Sequence, residues 1–195
     1  MGEKPIIFNT EMIKAILEGR KTQTRRTVNP QPKDGVRKSP FYPSGLEDLH
    51  GYQIKPRYKV GDILYVREAW NKSEDWGEYP DDEEDGEKIY YKADFPEDIW
   101  EEEKWRPSIH MPKEAARIFL KVTNLRIEKL QDITIKDAKS EGVICTCPEN
   151  EENRCYKGNI GHFKELWDSI FANTQKEWNR NPWVEVYEMV ERSGE

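Results

Sequence analysis

Side chains that can do chemistry are concentrated between Gly19 and Arg26, directly after a predicted helix. Lys21 can act as a base, and the three residues that follow it carry hydroxyl or amide groups. Arg20, Arg25 and Arg26 can pair with a phosphate or with the edge of a base. So tight a grouping at a helix exit indicates a use, whereas composition alone favours a solvent-exposed basic face.

The elements around this stretch place it between a helix and a strand. Asn9 or Thr10 can cap a helix that runs to Glu18, because both side chains accept hydrogen bonds from the first helical turn. Gly19 fits the left-handed conformation that often follows a helix end. Residues 22–28 are then predicted to form a strand, so the reactive groups lie at a helix exit.

Apolar residues alternate, or recur at helical spacing, in several further segments. Arg117–Leu130 alternates as a strand whose phase changes at Thr123 and Asn124, which predicts a bulge or a sharp bend. Short strands dominate, so we predict an α+β chain built as a small mixed β-barrel with about three short helices. The other predicted elements are strands at 5–8, 62–67 and 183–190 and helices at 132–141 and 163–171.

We predict a single domain over residues 1–195 that carries three insertions. Residues 29–58 contain five prolines and little periodicity, and residues 144–160 are polar, so both are predicted to be loops. The third insertion, residues 71–104, is mostly acidic, although its residues 88–92 can pair as a strand.

The formal net charge of −7 is unevenly distributed. Residues 74–103 carry 15 acidic and 2 basic side chains, whereas the rest of the chain carries 23 acidic and 29 basic ones. The overall negative charge disfavours tight binding of a duplex, because affinity for a duplex comes mainly from phosphate neutralisation. A nucleoside or a short single strand suffers less from this charge, so we favour RNA over duplex DNA as a partner.

The composition also indicates in which cellular compartment the protein is expected. The chain has no run of about 18 apolar residues and no basic start before an apolar run, so we expect neither a membrane span nor a signal peptide. Three cysteines argue against a disulfide framework and for the cytoplasm, and nothing indicates the oligomeric state. We predict free thiols and no metal site; zinc is the alternative, with ligands Cys145, Cys147, Cys155 and His162 at non-standard spacing.

The pattern Gly19-x-Lys21-x-x-Thr24-x-Arg26 resembles that of the ASCH domain family, whose fold is a PUA-like β-barrel. The resemblance implies a protein of the bacterial cytoplasm that recognises RNA or a modified base. Four later segments are similar in the same order: Val60–Leu64, Ile133–Gly142, Phe163–Ile170 and Asn181–Val184. The longer form found in bacteriophage or prophage genomes is similar at Trp70, Ser108–Pro112 and Leu166–Ile170.

One branch of the family hydrolyses N4-acetylcytidine, and its polar trio is similar to Lys21, Thr24 and Glu141. The resemblance implies that these three residues are catalytic and that no cofactor is needed. Thr24 would supply the nucleophile and Lys21 would take its proton. Glu141 would orient Lys21 or protonate the leaving amine. Residues three apart on an ideal strand point to opposite faces, so Lys21 and Thr24 can meet only if the chain between them is irregular.

Five further residues are candidate ligand contacts. Arg25 and Arg26 are predicted to line a basic cleft, with Lys21, near phosphates or base edges, and Arg67 is a candidate beside Trp70. Trp70 is the aromatic residue that we expect to stack on a base. His110 can reach a ligand, and a buried, hydrogen-bonded histidine is the alternative.

These features together predict a PUA-like module that binds a nucleobase or nucleoside, in RNA or in modified nucleic acid. Amidohydrolase activity on N4-acetylcytidine-like nucleosides is left open. The alternative is a non-catalytic protein that binds nucleic acid or mediates a phage–host interaction.

Overall fold

The computed structural model describes residues 2–72, 88–96, 104–144 and 158–191. Within these ranges the chain forms three α-helices and nine strands, connected by turns and short 3-10 helices. The helices are α1 (Thr10–Leu17), α2 (Ile135–Ser140) and α3 (Gly158–Phe171). The strands are β1 (Glu3–Ile7), β2 (Gln23–Thr27), β3 (Val36–Lys38), β4 (Leu46–Asp48), β5 (Ile63–Arg67), β6 (Trp70–Lys72), β7 (Ile89–Tyr91), β8 (Phe119–Lys129) and β9 (Trp183–Glu191).

The main sheet is open, which corrects the prediction of a small barrel. Its strand order is β1–β5–β8–β9–β2, and its two outermost strands, β1 and β2, are not neighbours in that order. The remaining described strands form two separate two-stranded sheets, β3–β4 and β6–β7. Because those strands pair with each other and do not join the main sheet, no described strand closes it into a barrel. The fold is thus mixed α and β, and a PUA-like architecture stays a prediction.

The chain divides into two compact units, each assembled from stretches distant in sequence. The first unit comprises Met1–Glu18, Asp62–Lys121 and Glu191–Glu195, and the second comprises Gly19–Gly61 and Val122–Val190. The prediction of one domain with insertions at 29–58, 71–104 and 144–160 stays a prediction.

In the first unit, β1 runs parallel to β5, and β5 runs antiparallel to the beginning of β8. Helix α1 begins as its sequence predicts, because the Asn9 side chain accepts a hydrogen bond from the Met12 amide at 2.9 Å. It ends before Gly19, whose φ of 71° is the left-handed conformation that glycine adopts readily. The predicted helix and its terminating glycine are therefore confirmed.

The second unit contains the antiparallel pair β2–β9, with Thr24 opposite Tyr187 and Arg25 opposite Val186. Alternation along β9 places Val184 and Val186 on one face, where they pack in a core between the strands and helices α2 and α3. The other buried members of this core are Leu130, Ile133, Ala138, Phe163 and Trp167. The helix predicted over 163–171 is confirmed, and α3 begins five residues earlier.

Residues 29–58 are more ordered than the predicted loop. They contain the hairpin β3–β4, in which Arg37 pairs with Glu47 and Lys38 with Leu46. The strand predicted at 88–92 is confirmed as β7, which pairs with β6. The remainder of the predicted acidic insertion and most of 144–160 lie outside the described residues. Among the described helices, none combines the length and apolar character that crossing a bilayer requires.

Candidate functional site

Lys21 and Glu141, which are 120 residues apart in sequence, form a buried ion pair in the second unit. Their backbones make an antiparallel bridge, and the neighbouring Thr22 amide donates to the Ser140 carbonyl at 2.9 Å. Glu141 caps the C-terminus of α2, and Gly142 follows with a φ of 88°. The turn at the start of β2 and the end of α2 therefore bring the two side chains together.

The Lys21 amine has an acceptor for each of its three hydrogens. Its Nζ lies 2.9 Å from Glu141 Oε2, 3.0 Å from the Glu141 carbonyl and 3.0 Å from the Gln23 carbonyl. Burial lowers the pKa of Lys21, and the charge and hydrogen bond of Glu141 oppose that shift. The amine is therefore held rigidly, and its proton is easier to remove than that of an exposed lysine.

Arg25 extends this pair into a network of carboxylates. Its side chain is fully buried, with Nη1 at 3.0 Å from Glu141 Oε1 and Nη2 at 2.7 Å from Glu128 Oε1. Asp137 lies 3.6 Å from the same Nη2, and the Phe163 ring lies 5.8 Å from the guanidinium carbon. These ion pairs hold Arg25 and the three carboxylates in place, so its charge is not turned to solvent.

Arg126 forms the outer layer of the same network. Its guanidinium donates to Glu128 at 2.8 Å, to Asp137 at 2.7 Å and to Glu188 at 2.9 Å. It also donates to the Gln23 side-chain oxygen at 3.3 Å. Strand β8 supplies both Arg126 and Glu128 from one face, since residues two apart on a strand point the same way.

Asp137 anchors the first turn of α2 to this network. Its carboxylate accepts hydrogen bonds from the Thr134 hydroxyl at 2.6 Å and from the Thr134 amide at 3.1 Å, as in a capping box. Burial acts to raise the pKa of Asp137. The Thr134 hydrogen bonds and the Arg25 charge outweigh burial and hold that pKa at about 2.

A cavity of about 610 Å³ opens beside this network, within the second unit. Gln23, Arg126, Glu128, Thr134, Asp137 and Glu188 are among its lining residues. Lys21, Thr24 and Glu141 are not, although their neighbours Thr22 and Ser140 are. The lining carries two cationic and four anionic side chains, so this cavity is not the basic cleft that the sequence predicted.

Thr24 and Arg26 lie on the opposite face of β2 from Gln23 and Arg25, as alternation requires. Thr24 pairs with Tyr187 and Arg26 with Glu185, and all of these except Arg26 are nearly fully buried. On this face the Tyr187 hydroxyl donates to Glu185 Oε2 at 2.5 Å. Burial raises the pKa of Glu185 and that of Tyr187. The structure thus brings Lys21 to Glu141, while Thr24 points to the other side of the strand.

Arg67, Trp70 and His110 belong to the first unit. Arg67 donates to the carbonyls of Met111 and Ile109, both at 2.7 Å, so its charge holds a turn. The Trp70 ring is 3% exposed and packs against Met111 and Ala115, so it is a core residue in this structure. His110 is exposed, which corrects the alternative of a buried histidine.

The candidate zinc ligands Cys145, Cys147 and Cys155 lie outside the described residues, and His162 lies in α3 with Glu165 at 3.6 Å. Within the described ranges, no group of three or more His, Cys, Asp or Glu side chains is arranged so that it could hold a metal ion.

Sequence reasoning missed three members of the network: Arg126, Glu128 and Asp137. The spacing of Thr134 and Asp137 carries a signal, because a threonine followed three residues later by an acid is typical of a capping box. The alternation of Arg126 and Glu128 on a strand places them on one face but does not reveal their partners.

No protein-family model, curated protein or solved structure gives a significant match to this chain. The resemblance to the ASCH family therefore stays a prediction that rests on the residues alone.

Proposed function

We propose that the second unit binds a nucleobase or nucleoside, carried in single-stranded nucleic acid, in the cavity between β2, β8 and α2. The observation that carries this proposal is the cavity itself. Its volume of about 610 Å³ falls in the usual range for small-molecule sites, and fixed polar groups line it.

The charges of the lining favour a base over a phosphate. Two cations face four carboxylates, so a phosphate would meet net repulsion there. A nucleobase is neutral and presents both donors and acceptors along its edge. The Gln23 amide and the threonine hydroxyls can pair with both the donors and the acceptors of a base edge. The ion pairs of Arg126 hold the carboxylates around them in place. A preorganised polar wall costs little to order when the ligand binds.

Hydrolysis of an N4-acylated cytidine is a second candidate function, favoured by the contact between Lys21 and Glu141. Burial lowers the pKa of the Lys21 amine, as a general base requires, and Glu141 lies at hydrogen-bond distance. Neither residue lines the cavity, so attack on a bound amide would need the Thr22–Gln23 segment to shift. Binding is therefore the stronger proposal.

Calorimetric titration of the full chain with N4-acetylcytidine and with cytidine tests the binding proposal. We expect saturable binding that Gln23→Leu weakens at least fivefold, because leucine keeps the volume but loses both hydrogen-bonding atoms. Gln175→Leu is the matched control, since Gln175 is exposed and outside the cavity. Absence of binding, or equal affinity of the Gln23→Leu variant and the native chain, would overturn the proposal.

Chromatographic detection of released cytidine tests the second candidate. Under that candidate, the native chain and Gln175→Leu release cytidine, whereas a folded Lys21→Met variant does not. Saturable binding without any release by the native chain would eliminate hydrolysis and leave the binding proposal standing.

A further inference from the structure

The hairpin β3–β4 presents aromatic and basic side chains to solvent. Phe41, in the turn between the two strands, is 84% exposed, and Tyr52, just after β4, is 67% exposed. Arg37, Lys38 and Lys55 are also exposed. Arg37 is paired with Glu47 and, as the neighbour of Lys38 on β3, points to the opposite face, so we call the other four residues the hairpin surface. Exposed aromatic rings beside exposed cations offer a stacking face and positive charge on one hairpin, which is the combination that binds single-stranded nucleic acid.

The backbone around Phe41 is fixed even though its ring is exposed. The Phe41 amide donates to the Ser39 hydroxyl at 3.3 Å, and the Ser39 amide donates to the Gly45 carbonyl at 2.9 Å. The Tyr42 hydroxyl ties the turn to the Gly51 carbonyl at 2.7 Å. Prolines at 40 and 43 restrict the chain on both sides of the ring. Little conformational freedom therefore remains for a partner to remove.

The acidic groups of the hairpin are turned inward. Glu47 is buried and accepts from Ser39 at 2.7 Å and from Arg37 at 2.8 Å. Asp48 is buried and accepts from the backbone amides of His50 and Tyr52, both at 2.9 Å.

Residues 29–61 carry six basic and three acidic side chains. Because two of the three acids are buried, the charge that faces solvent here is positive.

We propose that the hairpin surface docks single-stranded nucleic acid, with Phe41 stacked on a base and Lys38 and Lys55 on neighbouring phosphates. This inference rests on the ligand class of the proposed function and deepens it. It assigns to the hairpin surface the nucleotides that flank the bound base. Rigid aromatic rings beside basic side chains bind single strands because every base has a face that can stack. A duplex hides those faces, and its phosphates are disfavoured by the net charge of −7.

Fluorescence anisotropy with a labelled oligouridine, on the order of a dozen nucleotides long, tests this inference in the full chain. We expect Phe41→Ala to weaken binding about tenfold and Phe41→Trp to restore it, since tryptophan keeps a stacking ring. Ile170→Ala is the matched control, because Ile170 is also exposed but lies in α3.

Salt titration separates the phosphate contacts from stacking. Lys38→Gln should lower the slope of log affinity against log salt by about 0.7, the value for one phosphate contact on a single strand. Lys121→Gln is the control, since Lys121 is an exposed lysine in the first unit. An unchanged slope in Lys38→Gln, or full affinity in Phe41→Ala, would overturn the inference, as would failure of the oligouridine to bind at low salt.

These outcomes are distinguishable from failure of the proposed function. Oligouridine binding that depends on Phe41, in a chain that does not bind free nucleosides, would support the hairpin surface and reject the cavity. Nucleoside binding that depends on Gln23, with oligouridine affinity indifferent to Phe41, would do the reverse.

Discussion

The pair of Lys21 and Glu141 is buried deeply enough that removing one partner should destabilise the protein. The two side chains are 1% and 4% exposed, so loss of Glu141 would take the carboxylate partner from a Lys21 charge that water does not reach, whereas Glu141 would keep Arg25 at 3.0 Å after loss of Lys21. Breaking such a pair costs about 3–5 kcal/mol, whereas replacing both members with apolar residues is often nearly neutral.

We expect Glu141→Leu to lower the free energy of unfolding by about 3–5 kcal/mol, as measured by urea denaturation. The double variant Lys21→Met/Glu141→Leu should lose less than the sum of the two single variants, because the Lys21 charge is then absent as well, although Arg25 loses one of its three carboxylates in both Glu141 variants.

Lys14 and Glu11 provide the matched control for this double-mutant cycle, since they form a more exposed pair 4.0 Å apart. Their coupling should be about 0.5 kcal/mol or less. Additive losses for Lys21 and Glu141 would show that the buried pair does not act as a unit.

Among the secondary-structure elements, helix α2 depends on ionised Asp137 for the stability of its first turn. Its carboxylate receives two hydrogen bonds from Thr134 and faces Arg25 and Arg126, and its pKa is about 2. An ordinary aspartate has a pKa of about 3.9 in the unfolded chain. The folded-state pKa is thus depressed, so the stability it contributes is present above about pH 4 and is lost as the pH falls towards 2.

We expect Asp137→Asn to lower the stability at pH 7 by about 2–3 kcal/mol, which is the depression of the pKa converted by linkage. The native chain should lose that contribution between pH 4 and about pH 2, whereas the variant should lose less over this window. Urea denaturation of both proteins across this pH range measures the difference. Parallel stability curves for the two proteins would show that Asp137 does not carry this contribution.

The elements that the sequence predicted well are those governed by local signals. Helix α1 has its cap at Asn9 and its glycine at Gly19, and both act on their own neighbours. The hairpin β3–β4 has no such signal, because its strands are three residues long and lie between prolines. Glu47 ties the two strands together by accepting from Arg37 and Ser39, and Asp48 holds the turn that follows β4. No periodicity in the sequence reveals these side-chain hydrogen bonds.

The candidate site was predictable only in part, because its local residues are readable from the sequence whereas its long-range contacts are not. The grouping of reactive side chains between Gly19 and Arg26 singled out Lys21 as a candidate. Its partner Glu141 lies 120 residues away and was indicated only by the family resemblance. Arg25 was predicted to face a ligand, whereas it is buried among carboxylates of β8 and α2. The barrel prediction was wrong because strand count alone does not determine which edges pair.

At the scale of the whole molecule, the distribution of charge opposes the proposed ligand. The net charge is −7, and the acidic residues 74–103 account for the excess of negative charge, because the remainder of the chain is net positive. Like charges repel over roughly one Debye length, about 10 Å at 0.1 M salt, so the acidic stretch should weaken binding of a polyanion at low salt.

Neutralising five consecutive acidic residues tests this effect on the full chain. The variant carries D81N, D82N, E83Q, E84Q and D85N, which changes the formal net charge from −7 to −2. We expect it to bind labelled oligouridine several-fold more tightly at low salt, because less repulsion opposes the approach of the strand. The gain should vanish near 1 M salt, where the Debye length falls to about 3 Å. Binding of uncharged N4-acetylcytidine should not change, since a neutral ligand does not feel that repulsion. An equal gain for both ligands would mean that the substitutions act through the fold, and no gain for either would mean that residues 81–85 do not oppose the strand.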